Sequence, residues 1–167
     1  MAPLKRHLLP VLTFPVMMIV VIPTTICLLA GVGTVDTPTG VTLTLATIGG
    51  VFLVCGLYFF VWTVLLFDKK GEGTLALFDA PTKLVVAGPY KHVRNPMLSA
   101  AIMVIGGEAL VLRSPWIGTW FLVFFALNAI LIPLFEEPDL RKRFGEEYDV
   151  YRREVPRWIP RTRPWSG

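Results

Sequence analysis

Two adjacent carboxylates, Glu136 and Glu137, end one long apolar run, and an arginine, Arg94, stands just before another begins. Neighbouring acids at the edge of an apolar phase repel each other, so they need cationic partners. Arg94 and Arg157 can serve, and so can a cationic ligand. Arg94 belongs to the stretch Gly-Pro-Tyr-Lys-His-Val-Arg-Asn-Pro-Met-Leu-Ser, residues 88–99, a polar seam in a largely apolar chain. Pro89 and Pro96 fix their own φ and disfavour helix in the residues before them. Gly88 and Asn95 are therefore expected to be non-helical, with open backbone donors and acceptors, and the Arg94 guanidinium is placed to meet an anionic group at a membrane boundary. A plainer reading has Lys91 and Arg94 only anchoring a helix end at lipid headgroups. The C-terminal residues weigh against it.

The elements that must position these groups are apolar helices. Hydrophobic residues make up 54% of the 167 and the mean hydropathy is +0.62, values of an integral membrane protein. Charged residues gather in 1–7, 68–94 and 136–163, leaving nearly uncharged runs between them. That is the pattern of spans joined by wet segments. Residues 8–30 follow Lys5, Arg6 and His7, the charged start of a signal peptide, but the apolar run is longer than usual for one and reads as a retained first span. Pro10, Pro15 and Pro23 should bend it. A short loop at residues 31–40 leads to the clearest span, residues 41–67, where Gly49, Gly50 and Gly56 offer a small-residue packing face. Tyr58, Phe59, Phe60 and Trp62 near its end suit an interfacial belt. In the wet connector of residues 68–90, Leu84, Val85 and Val86 are expected on the membrane surface.

Residues 98–112 are short for a crossing, since some fifteen helical residues rise only about 22 Å. Glu108 in this run is expected to pair with Arg113 or reach water rather than to form a site. Arg113, Ser114 and Pro115 make a tight turn into residues 116–135, the last span. Helices joined so closely are antiparallel neighbours, which brings the Asn95 end of one beside the Glu136 end of the other. Of sixteen Lys and Arg, two precede the first span, five lie in residues 68–94, eight follow Phe135, and Arg113 stands alone on the opposite side. The positive-inside rule then puts both termini in the cytoplasm. Beyond Pro138, Leu140, Phe144, Tyr148, Tyr151 and Val155 recur at helical spacing as an amphipathic stripe hinged near Gly145. By itself that stripe reads as a surface helix with tyrosine anchors. Cys27 and Cys55 lie in apolar runs as small hydrophobes, the two histidines are too far apart for a metal set, and no nucleic-acid recognition motif is present. The net charge of +4 bears on anionic headgroups before nucleic acid.

Gly88-Pro89-Tyr90 and Val93-Arg94-Asn95-Pro96, followed by Glu136-Glu137, Leu140, Phe144-Gly145, Glu147-Tyr148, Tyr151, Val155-Pro156-Arg157 and Pro160, resemble the isoprenylcysteine carboxyl methyltransferase and phospholipid methyltransferase superfamily. The resemblance covers roughly the C-terminal half. It implies an S-adenosylmethionine-dependent membrane methyltransferase, with the cofactor enclosed by the last two membrane helices, the connector and the C-terminal segment. It further implies Arg94 as the catalytic residue and Tyr90, Val93, Asn95, Pro96, Leu98, Glu136, Glu137, Tyr148, Tyr151 and Arg157 as cofactor-binding residues, with no metal. The chain departs from the family at two of these positions: Asn95 stands where the family has His, and Leu98 where it has Tyr. Asparagine can replace one imidazole hydrogen bond, whereas leucine cannot replace a phenol. Carboxylates and tyrosine faces complement the cations of a sulfonium amino acid, and an arginine meets its carboxylate.

The expected architecture is all-α: one domain, residues 1–167, a polytopic membrane helix bundle of about four spans with a cytoplasmic amphipathic C-terminal segment. Within it, residues 1–67 hold two spans, 68–97 the connector, 98–135 a helical hairpin and 136–167 the segment that completes the site. Its expected partners are the lipid bilayer and a lipophilic methyl acceptor. Isoprenylcysteine carboxylate, a phospholipid amine, a thiol and a small lipophilic molecule all suit an approach from the bilayer. Two other readings stay open: a nicotinamide-dependent membrane reductase, for which the chain is short, and a non-catalytic assembly protein that keeps the scaffold without the site.

Overall fold

The computed structural model describes residues 15–31, 39–70 and 84–166. Residues 8–14 of the first expected span, 32–38 of the following loop and 71–83 of the connector lie outside the described residues. Among the described residues the protein is all-helical, a membrane bundle. Helix α1 is Met17–Ala30, α2 Gly40–Lys70, α3 Pro96–Leu112, α4 Pro115–Leu131 and α5 Glu137–Glu154. Gly40–Leu66 and the helical run beginning at Pro115 are long and apolar enough to cross a membrane, while α1 and α3 are shorter apolar helices.

Two helices start or continue through a wider π turn beside a proline. In α1 the turn Met17–Val21 precedes Pro23, and Ile132–Glu136, which contains Pro133, joins α4 to α5 without a break. A proline ring cannot sit against the carbonyl four residues earlier, and the π register relieves that clash while keeping the chain helical. The expected transition to a wet segment at Glu136 is thus a change of helical register, not a loop.

Helix α2 opens on a reciprocal cap, with Thr42 Oγ1 accepting from the Thr39 amide at 2.7 Å and Thr39 Oγ1 from the Thr42 amide at 3.3 Å. It then lies directly on α3. A Cβ placed on Gly49 would stand 2.8 Å from the Gly107 carbonyl, one on Gly107 2.7 Å from the Gly49 carbonyl, and one on Gly56 2.9 Å from Val104. Backbone meets backbone here, as small-residue helix packing in lipid requires. Gly50 does not belong to that face: a Cβ there would meet nothing within 4 Å. Of the expected aromatic belt, Phe60 packs inward with Val64 and Ala100, while Tyr58, Phe59 and Trp62 stay exposed.

The α3–α4 turn forms as expected. Arg113 ends α3 in the left-handed conformation at φ 50°, and Ser114 caps α4 by accepting from the Ile117 amide at 3.4 Å. Between these helices and α1 lies the main core of Ile19, Ala101, Val104, Ile105, Ile117 and Phe124. Trp120 fastens α4 to α1 by donating its indole N–H to the Met18 carbonyl at 3.1 Å. The outward faces of α2 and α4, with Val54, Val61, Leu122, Ile130 and Leu134 all more than half exposed, are the surface a bilayer covers.

Candidate active site

Gly88, at φ 52°, starts a single 3₁₀ turn, Gly88–Lys91, whose left-handed entrance favours glycine. A Cβ at this position would also press to 3.2 Å from Leu66 and 3.4 Å from Trp62, so the seam sits against the end of α2. Pro89, Tyr90, Val93 and Pro96 are buried, and Asn95 occupies the N-cap of α3 with no side-chain cap bond. This places Arg94 on rigid backbone facing the start of α5.

The seam and α5 meet at one carboxylate. Glu137 is only 3% exposed, and its Oε1 accepts from Arg94 Nη1 at 2.8 Å and from Arg157 Nε at 2.8 Å, with Arg157 Nη2 also 2.8 Å away. Arg152 Nε stands 3.4 Å from the other oxygen, Oε2, without forming a hydrogen bond. Arg94 Nη1 further donates to the Tyr148 hydroxyl at 3.4 Å. Two buried polar atoms of this cluster, Glu137 Oε2 and Arg94 Nε, have no hydrogen-bond partner among the described residues. A buried acceptor and a buried donor left unsatisfied are costly, each roughly 1–3 kcal/mol.

Tyrosines wall the cluster. Tyr148, Tyr151 and Val155 form a buried group with Leu84, Val86, Leu140, Phe144 and Trp165 packed around it. Leu84 and Val86 pack against this group on α5, and Val85 is buried. The Tyr151 hydroxyl donates to the Tyr90 carbonyl at 2.7 Å. Burial pushes the Tyr90, Tyr148 and Tyr151 hydroxyls above the usual phenol range, and nearby carboxylate charge adds to it for Tyr90 and Tyr148. All three stay protonated near neutrality.

The helical stripe reaches this cluster because α5 reverses at Gly145, whose φ of 55° and ψ of −129° break the helix at the expected hinge. The reversal carries Arg152 and Arg157 back toward Glu137. Past Val155 the tail lies along the seam. The Arg94 amide donates to the Pro156 carbonyl at 2.9 Å, the Arg161 amide to the His92 carbonyl at 2.9 Å, and the Trp165 amide to the Lys91 carbonyl at 3.0 Å. His92 Nδ1 adds a bond to the Arg161 carbonyl at 2.8 Å, which requires its proton on that nitrogen.

The structure thus gathers Tyr90, Val93, Arg94, Glu137, Tyr148, Tyr151 and Arg157, as the sequence suggests. Glu136 is exposed and adds no ion pair to the cluster among the described residues, though its charge lies near enough to raise the Tyr90 and Tyr148 hydroxyls; Leu98 stands apart, packed against the apolar core between α1, α3 and α4. The sequence reading missed Arg152, His92, Arg161 and Trp165. Arg152 looks like an outer-face cation until the Gly145 reversal is known, and backbone pairing of an irregular tail leaves no periodic trace.

The phospholipid methyltransferase family model matches residues 44–147, more than half of the chain. The chain belongs to this family. The match runs from α2 through the seam, α3 and α4 into α5, so it contains Arg94 and Glu137 and stops just before Tyr148. Family membership points to methyl transfer on a membrane substrate. Neither the curated proteins nor the solved structures searched gave a match.

Proposed function

We propose that this phospholipid methyltransferase family member uses S-adenosylmethionine to methylate a lipophilic acceptor reached from the bilayer. The observation that carries the reading is the buried Arg94–Glu137 cluster, inside the family match, with one acceptor and one donor unsatisfied. When bound, the cofactor supplies an electrophilic methyl group on a sulfonium. Glu137 Oε2 and the protonated tyrosines suit its cationic end, and Arg94 Nε suits its carboxylate. Tyr90, Val93, Asn95 and Pro96 set the backbone that carries Arg94, while Leu98 acts by packing alone. Glu136 supplies negative charge at the rim.

Methyl transfer by in-line displacement asks the protein for orientation and a dry site more than for an acid or base. Arg94 orients, and the tail bonded across residues 91–94 shields the seam from water. The acceptor approaches laterally while the cofactor comes from the side on which we place both termini, the cytoplasm. In this reading residues 1–67 are chiefly scaffold, and 68–97, 98–135 and 136–167 together form the site.

Equilibrium binding of labelled S-adenosylmethionine to the purified protein in nanodiscs, with a reduced nicotinamide dinucleotide as competitor, tests the proposal. Saturable binding that the nicotinamide leaves unchanged is expected. Displacement by the nicotinamide would favour a reductase, and no binding by folded protein would favour an assembly protein.

A further inference from the structure

The C-terminal tail does more than border the seam. Arg157 extends its guanidinium to Glu137, yet the next residue, Trp158, places its ring 5.6 Å from that of Phe125. Phe125 precedes Glu137 by twelve positions, which is about 18 Å of helical rise. The tail backbone therefore hangs beside the last turns of α4, with Arg157 reaching up to the polar cluster and Trp158 reaching down the apolar shaft. Ile159, beside it, is 80% exposed, and so are large parts of Ile130 and Leu131 on α4 and of Leu134 in the π turn after it. An isoleucine this bare, next to a tryptophan that packs on a membrane-crossing helix, has an apolar phase as its natural surroundings. Residues 155–167 contain Arg157, Arg161 and Arg163 and no acidic residue; Arg157 is held by Glu137 and Arg161 Nη1 donates to the Glu154 carbonyl at 2.8 Å, so exposed Arg163 and the remaining N–H groups of Arg161 make the tail charge-complementary to phosphate.

We propose that residues 156–165 are a membrane-dipping strap: Trp158 and Ile159 sit in lipid beside α4, Arg161 and Arg163 meet the phosphates of anionic phospholipids, and this contact holds the seam shut. The coupling is direct, because the same ten residues carry the backbone bonds to Lys91, His92 and Arg94. Lipid that grips the strap fixes the backbone of Arg94. The inference rests on α4 crossing the membrane and is independent of which cofactor the site takes.

The test uses the full chain with Cys27 and Cys55 changed to alanine, reconstituted into phosphatidylcholine vesicles with and without phosphatidylglycerol. An environment-sensitive fluorophore on Ile159→Cys is expected to be quenched by brominated lipid and shielded from aqueous iodide. The same fluorophore on Ile130→Cys reports on α4. Quenching at 130 without quenching at 159 overturns the strap alone, whereas failure at both overturns the crossing of α4. Amide exchange at Arg94, Arg161 and Trp165 should slow several-fold when phosphatidylglycerol is added and should speed up on the order of tenfold in Ile159→Asp, with the α2 and α3 amides unchanged. Exchange that ignores both changes would overturn the coupling. Slowing by inorganic phosphate in neutral vesicles would overturn the assignment to lipid.

Discussion

Where α2 meets α3, backbone touches backbone at Gly49 and Gly107 with no space for a methyl group. Where the seam meets α5, three guanidiniums gather around one carboxylate and two buried polar atoms go unbonded. The first contact is close packing of backbone and small side chains at Gly49, Gly56 and Gly107. The second is unfinished, and a buried cluster missing one partner for an acceptor and one for a donor is stable only because each arginine and Glu137 supports the rest.

The largest disruption should come from the sealed contact. Gly107→Val forces side-chain atoms into the Gly49 carbonyl, which a helix backbone cannot yield, so loss of several kcal/mol and failure of the α2–α3 pair is expected. Thermal unfolding in detergent would show it, and a melting temperature near wild type would mean the helices are not as close as described. Removing a partner from the open contact ranks next. Arg94→Ala leaves Glu137 with Arg157 and the half-exposed Arg152, at a cost toward the lower end of the roughly 3–5 kcal/mol typical of breaking a buried pair. If Arg94→Ala unfolds no earlier than wild type, the cluster is not buried in the membrane-bound protein.

A third, milder effect concerns pH. The hydroxyls of Tyr90 and Tyr151 are held above their unfolded value, so their contribution is full below the unfolded phenol pKa, about 10, and is lost as pH rises beyond it. The melting temperature should stay level to about pH 9 and fall above about 10. A flat profile through that range would place these phenols in water. The smallest effect is assigned to Gly50→Ala, where a methyl group meets open space on a helix; a change within about 1 kcal/mol, toward greater stability, is expected. Marked destabilisation there would show that Gly50 faces a neighbour, such as a second copy of the chain.

Much of the helical bundle is readable from sequence because its signals are local and periodic. The uncharged run of residues 41–67 reappears within Gly40–Lys70, and Arg113-Ser114-Pro115 turns the chain where turn chemistry says it should. The approach of Arg94 to Glu137 follows from that turn by simple geometry. Which of the two glutamates enters the cluster does not, because the π turn Ile132–Glu136 alters the rotation per residue just before them and turns Glu137 inward and Glu136 out. Leu98 is a similar case: its helix is apolar all round, so no pattern says whether it faces the seam or the core. The course of residues 156–165 depends on contacts more than sixty positions away, which no window of sequence reports.

The central claim, that Glu137 and Arg94 form the polar grip on the methyl donor, is tested most directly at Glu137. Calorimetric titration of S-adenosylmethionine into wild-type protein and Glu137→Gln in the same nanodiscs compares a charged with a neutral acceptor of nearly equal volume. With both forms folded by circular dichroism, the account predicts at least about tenfold weaker binding to Glu137→Gln, the loss of one charge-assisted bond. Equal affinity of the two forms would contradict it.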